Sequence, residues 1–172
     1  YAFMFRNEDG RADYYDENGK SLRKQLLKAP LTFSRISSNF SARRWHPVLH
    51  HYAPHLGVDF AAPVGTPVMA TGDGAVIETG RNSANGKYIK LRHTNGYVTY
   101  YLHLSRFAKG MQPGARVRQG ETIGYVGMTG YATGPHLDYR VMKGNVFVNP
   151  RKISLPPAKP VTSANMASFI DL

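Results

Sequence analysis

The chain predicts a mainly β, antiparallel fold, and three observations carry that expectation. Seventeen glycines and eleven prolines in 172 residues imply many tight turns. Short runs of strand-forming residues recur from residue 34 onward, with turn signals between them. Hydrophobic residues make up 42% of the chain, enough for one core, and the length suits one domain or one domain with an appendage.

Residues 1–33 are expected to form a short β-rich lead-in. Tyr1–Phe5 and Ala12–Tyr15 are strand-like and flank the turn dipeptide Asp9-Gly10, and Asn18-Gly19 marks a second turn. Ser21–Leu27 fits a short helix or a third strand equally, because its periodicity settles neither. Tyr1–Phe5 is apolar but too short for a signal peptide, so the lead-in is expected to continue a truncated upstream region. Residues 34–154 form the expected main domain. Lys87–His93 and Tyr97–His103 are predicted strands around the hairpin turn Thr94-Asn95-Gly96. Strict alternation in the second strand puts Val98, Tyr100 and Leu102 on one face and Tyr97, Thr99, Tyr101 and His103 on the other. Gly120–Val126 reads as another short strand. Residues 155–172 open Leu-Pro-Pro-Ala-Lys-Pro, carry no strong pattern and are expected to be a tail or linker. No apolar run reaches transmembrane length, and there is no internal repeat.

The formal net charge of +11 suits a partner that carries anionic groups, free carboxylates included. The basic residues are dispersed and match no nucleic-acid-binding pattern, so nucleic acid is not an expected partner. Absence of cysteine excludes a thiolate nucleophile and a cysteine-based zinc site.

The chemistry-bearing residues fall in three places: His55-Leu56-Gly57-Val58-Asp59, His103 within Tyr101–Ser105, and His136-Leu137-Asp138. Neutral imidazole with carboxylate is the donor set a zinc ion takes, and further histidines beside it can move protons. In His136–Val141, alternation sends Leu137, Tyr139 and Val141 to the core. His136, Asp138 and Arg140 then share the other face, roughly 6.5 Å apart along the strand. His55 and Asp59 share a face if extended, and Gly57 between them permits close approach. Arg140 is placed to pair with Asp138. His46 is expected to be structural, His50 and His51 to be exposed loop residues, and His93 to sit at a strand end. Tyr97, Tyr101 and Tyr131 fit either a groove lining or packing.

From about Ser37 to Pro150 the chain resembles a LytM-type (M23, lysostaphin-like) zinc metallopeptidase domain. The resemblance is carried by Ser38-Asn39-Phe40 with Arg44 and His46-Pro47, then His55–Val68, Tyr101–Ser105, Gly120–Gly124, Gly134–Leu137 and Val148-Asn149-Pro150. It implies an antiparallel β-sheet sandwich with a groove, of the LytM (duplicated hybrid motif-like) type. It implies His55 and Asp59 as zinc ligands, and His103 and His136 as non-ligand catalytic histidines that handle proton transfer and the oxyanion. The family usually reads His-x-His where this chain has His136-Leu137-Asp138, and an acidic residue where it has Arg140. Zinc accepts carboxylate oxygen at about 2.0–2.2 Å, so Asp138 is the expected third metal ligand. A metal-free Asp138–Arg140 pair, and a metal held by His55, Asp59 and His136, are the alternatives. The implied activity is zinc-dependent cleavage of peptide cross-links in bacterial peptidoglycan, in the periplasm or outside the cell. The alternative is a non-catalytic LytM-like module that binds and regulates another cell-wall hydrolase.

Overall fold

A computed structural model describes the chain except for Glu8, Asp9, Phe33, Pro47, Leu155, Pro156 and Leu172. Asp9 of the first turn dipeptide, Pro47 of the His46-Pro47 block and the start of the predicted tail therefore lie outside the described residues. The backbone groups into two units, Tyr1–Leu26 with Ser154–Leu172, and Leu27–Ile153. No helix among the described residues is long and apolar enough to cross a membrane.

In the first unit, β1 (Phe3–Arg6) pairs antiparallel with β2 (Ala12–Tyr15), Phe3 lying opposite Tyr15. The Asn18-Gly19 turn forms because Gly19 takes a φ of +70°, which a side chain would oppose, and Asp16 Oδ1 accepts the N–H groups of Asn18 and Lys20. Within Ser21–Leu27 the chain makes isolated bridges, Ser21 to Tyr15 and Lys24 to Pro157, in place of a helix or a strand. Toward the C-terminus, a 3-10 turn (Ser163–Asn165) leads into α1 (Met166–Ile170). That helix sets Phe169 edge-on against Phe3, Phe5 and Tyr15 at centroid distances of 6.1, 5.6 and 5.9 Å. Five residues are too few to show a helical period, so packing and not pattern defines this helix.

The second unit contains β3 (Arg35–Ser38), β4 (Ser41–His46), β5 (His51–His55), β6 (Val58–Ala61), β7 (Pro67–Met69) and β8 (Gly74–Asn82). It continues with β9 (Gly86–His93), β10 (Tyr97–Phe107), β11 (Arg116–Val117), β12 (Thr122–Val126), β13 (His136–Lys143) and β14 (Val146–Val148). The predicted mainly antiparallel β fold is the one found. The main sheet runs β11-β8-β9-β10-β13-β6-β3, with β14 on β13 and β12 joining β10 to β7; β4 and β5 form a separate hairpin. The β9–β10 hairpin turns at Gly96, whose φ of +81° meets the turn's demand.

Alternation holds in β13. Leu137, Tyr139 and Val141 are buried in the core, and His136, Asp138 and Arg140 share the opposite face. It fails in β10. The register against β9 shifts between Tyr101 and Leu104, and His103 adopts a left-handed φ of +64°. The extra residue of this bulge turns His103 away from the face of Tyr101 and into a cleft, so the expected common face of Tyr97, Tyr101 and His103 is corrected. Beyond the bulge β10 pairs with β12, Leu104 lying opposite Val126.

Tyr97 and Tyr101 are buried, so of the three tyrosines weighed as groove lining only Tyr131 reaches the cleft. The Tyr101 hydroxyl lies 3.0 Å from Thr71 Oγ1 and 3.0 Å from Thr99 Oγ1, and the Tyr139 hydroxyl donates to Thr71 Oγ1 at 3.0 Å. Thr99 Oγ1 also lies 2.8 Å from His93 Nε2, and His93 Nδ1 donates to the Asp73 carbonyl at 2.9 Å. This satisfied chain ties β9, β10 and β13 together beneath the site.

Burial holds the His93 imidazole below its ordinary value of 6.5. The unfolded chain therefore takes up a proton that the folded ring resists. Stability is full above the ordinary value and declines as pH falls through it toward the lowered folded value. Thermal melts across this range should show the decline, and His93→Gln should make it shallower.

Candidate metal centre

Strands β6 and β13 pair with Asp59 directly opposite Asp138, so both carboxylates lie on one face. His55 ends β5, four residues before Asp59, and turns back over them. Its Nε2 lies 2.9 Å from Asp59 Oδ1 and 3.8 Å from Asp138 Oδ1. The three donor atoms all lie within 4.8 Å of one another, and all three residues are buried.

Like charges opposed across a ladder destabilise it. Here each carboxylate has an arginine on its outer oxygen. Arg44 Nη1 donates to Asp59 Oδ2 at 3.4 Å and also to the Ser38 hydroxyl. Arg140 donates to Asp138 Oδ2 from Nη2 at 2.6 Å and from Nε at 3.0 Å. Burial raises the Asp59 pKa, but the His55 hydrogen bond and the charges of His55, His136 and Arg44 outweigh it, leaving the carboxyl below the ordinary carboxylate range.

The three site histidines share one device. His55 Nδ1 lies 2.9 Å from the Asn39 carbonyl, His103 Nδ1 2.7 Å from that of Thr129, and His136 Nδ1 2.8 Å from that of Gly134. A carbonyl only accepts, so each Nδ1 carries the proton and each Nε2 is left as the working atom. The rings of His103 and His136 stand 4.7 Å apart, and His136 Nε2 is 4.0 Å from Asp59 Oδ1. Burial, with the neighbouring His136 second, lowers the His103 pKa.

The donor set fits a zinc ion. With Nδ1–H committed, His55 Nε2 presents a lone pair to a carboxylate oxygen, so a proton or a cation has to mediate the contact. Tetrahedral donors at about 2.0–2.2 Å from zinc lie roughly 3.4 Å apart, between the separations of 2.9 and 3.8 Å found here. The donors floor a cleft of about 560 Å³. The β4–β5 hairpin forms one wall through Arg44, His46 and Ala53, and Tyr131, Thr133 and Pro135 form another.

The structure thus gathers His55, Asp59, His103, His136 and Asp138 around one cleft. His46, expected to be structural, both accepts the Leu49 N–H at 3.2 Å and lines the cleft 6.5 Å from the Tyr131 ring. His50 and His51 are exposed. The contributions that sequence reasoning missed are the carbonyls of Asn39, Thr129 and Gly134. A main-chain acceptor leaves no mark in side-chain identity.

A buried His/Asp/Asp donor set with two flanking histidines, on the floor of an antiparallel β cleft, is an arrangement of the kind found in metal-dependent hydrolases. Among these, the chain belongs to Peptidase family M23, whose sequence model matches residues 53–150. It is 46% identical over 163 residues to the peptidoglycan DD-endopeptidase ShyC of Vibrio cholerae, covering 95% of this chain and 37% of that protein. It is 44% identical over 156 residues to the DD-carboxypeptidase/endopeptidase Mpg of Neisseria meningitidis, covering 90% of this chain and 35% of that protein. A solved zinc-containing peptidase from Vibrio cholerae superposes with a TM-score of 0.72 at 38% identity, over 90% of this chain and 47% of its own. The chain thus spans less than half the length of each of these relatives.

Gly86 has a φ of +62°, and a Cβ there would meet Thr129 Oγ1 at 2.2 Å. Gly86→Ala should destabilise the protein by about 1–3 kcal/mol through overpacking, read by urea unfolding. The same variant should shift the His103 imidazole resonances, because Thr129 holds that ring.

Proposed function

We propose that this chain is the catalytic part of a zinc endopeptidase that cuts peptide cross-links of bacterial peptidoglycan in the cell envelope. The observation that carries the reading is the convergence of His55 Nε2, Asp59 and Asp138 on one point of the cleft floor. The paired rings of His103 and His136 stand beside it. The names of the curated relatives agree with this substrate. Their DD specificity favours the D-alanyl–diaminopimelate cross-link over a glycine bridge. The net charge of +11 suits peptides that carry free carboxylates.

His55, Asp59 and Asp138 would hold the zinc, which when bound supplies Lewis-acid polarisation and acidifies water at neutral pH. The cleft between the β4–β5 hairpin and the Tyr131–Pro135 wall holds the peptide. His103 and His136 move protons at Nε2, since each Nδ1–H is engaged by a carbonyl. Burial keeps His103 neutral near pH 7, which suits it to take a proton from the attacking water. Water oxygen bonds to the scissile carbonyl carbon, the C–N bond breaks, and the proton passes to the leaving amine. A protonated Nε2 also donates to the oxygen that gains charge in that step.

Mass spectrometry of fragments released from purified peptidoglycan tests the reading. Release of cut cross-links with zinc, and none with a chelator, is the expected result; no release under either condition overturns it. His55→Ala and Asp59→Ala should lose both zinc and cleavage. His103→Ala and His136→Ala should retain zinc while cleavage falls by about 10²–10⁴-fold, with metal content read by elemental analysis.

A further inference from the structure

We infer that Arg140 is a positioning residue that holds Asp138 in the orientation of a metal ligand. The Asp138–Arg140 ion pair is then part of the metal site and not a substitute for it. This inference rests on the zinc reading above.

Arg140 approaches Asp138 with two nitrogens. Nη2 and Nε reach Oδ2 at 2.6 and 3.0 Å, and Nε reaches Oδ1 at 3.2 Å. The contacts are concentrated on Oδ2. Oδ1 remains the oxygen on the inner side, 3.8 Å from His55 Nε2. An aspartate carboxylate can rotate about its last bond, and a planar fork gripping its outer edge removes that freedom. The grip matters more here because aspartate is shorter than histidine, so a misrotated carboxylate cannot reach the other donors.

Space for the fork comes from Gly57, inside the His55–Asp59 motif. A Cβ at Gly57 would fall 2.3 Å from Asp138 Oδ1 and 2.7 Å from Arg140 Cγ. Any side chain there would push into both partners. The glycine thus clears the floor on which Arg140 lies against Asp138.

Charge points the same way for chemistry and the opposite way for affinity. Two carboxylates and a neutral imidazole cancel a divalent cation, and Arg140 returns one positive unit to the set. A cation beside a metal site also repels the metal and draws electron density from the ligand. Repulsion alone therefore predicts that removing Arg140 tightens zinc binding, whereas positioning predicts that it loosens it.

Zinc affinity, measured by competition with a chromophoric chelator, separates the two. Arg140→Met should bind zinc about 10–100-fold more weakly than the unaltered protein, the range for loss of a group that orients a ligand. Arg140→Lys keeps the charge without the fork and should stay several-fold weaker. In an Asp138→Asn background, Arg140→Met should change affinity little, because Arg140 acts through that carboxylate. Equal or tighter binding by Arg140→Met overturns the inference, as does the same loss in the Asp138→Asn background. If Arg140→Met does not fold, Arg140→Lys decides: affinity equal to that of the unaltered protein overturns the fork. Failure of the unaltered protein to bind zinc overturns the function proposed above instead, so the two failures are distinct.

Discussion

Two aspartates face each other across one ladder, and much of this molecule answers to that fact. Asp59 and Asp138 are register partners in β6 and β13, both buried. Opposed carboxylates in a low-dielectric setting repel strongly. The fold answers with three cationic or cation-ready groups. Arg44 comes from the β4–β5 hairpin, Arg140 from two residues along β13, and His55 from the end of β5. Arg44 takes the outer oxygen of Asp59 and Arg140 holds Asp138 mainly by its outer oxygen, while the inner oxygens and His55 Nε2 converge on one point. The same arrangement that relieves repulsion also presents a donor set for a divalent ion.

The histidines are prepared in a second way. Backbone carbonyls from two loops, Asn39 in one and Thr129 and Gly134 in the other, fix the tautomers of His55, His103 and His136 and turn each Nε2 toward the cleft. For His103 this takes a distortion of the sheet. The bulge in β10 and the left-handed backbone at His103 break the alternation that would otherwise bury the ring beside Tyr101. A left-handed residue other than glycine persists only where its surroundings over-determine it. Here the His103 N–H donates to the Asn85 carbonyl at 2.9 Å, and the ring is held by Thr129. Gly86 supplies the space in which Thr129 lies.

Beneath the site, Tyr101, Tyr139, Thr71, Thr99 and His93 form a hydrogen-bonded layer on the other face of β9, β10 and β13. Its members are buried and satisfied, so the strands that carry His103 and Asp138 rest on a specific packing arrangement and not on apolar contact alone. A cleft that must hold donors to within a few tenths of an ångström needs a rigid floor.

Alternation in His136–Val141 was enough to place Leu137, Tyr139 and Val141 in the core and His136, Asp138 and Arg140 on the site face, because a strand has a strict period of two. The hairpin at Thr94–Gly96 and the antiparallel β class were legible for the same reason, since turn chemistry and period are local. The bulge at His103 was not legible: it falls where β13 gives way to β12 along one edge of β10 while β9 holds the other. Nor was α1, whose five residues hold their shape by packing Phe169 against Phe3, Phe5 and Tyr15. Sequence therefore determined which residues carry the chemistry and which strands present them. Tertiary structure alone decided that His103 leaves the face of Tyr101, that the carbonyls of Asn39 and Thr129 set the tautomers of His55 and His103, and that Arg44 from the β4–β5 hairpin reaches Asp59. Those outcomes depend on distances between segments far apart in the chain, and no local pattern encodes such a distance.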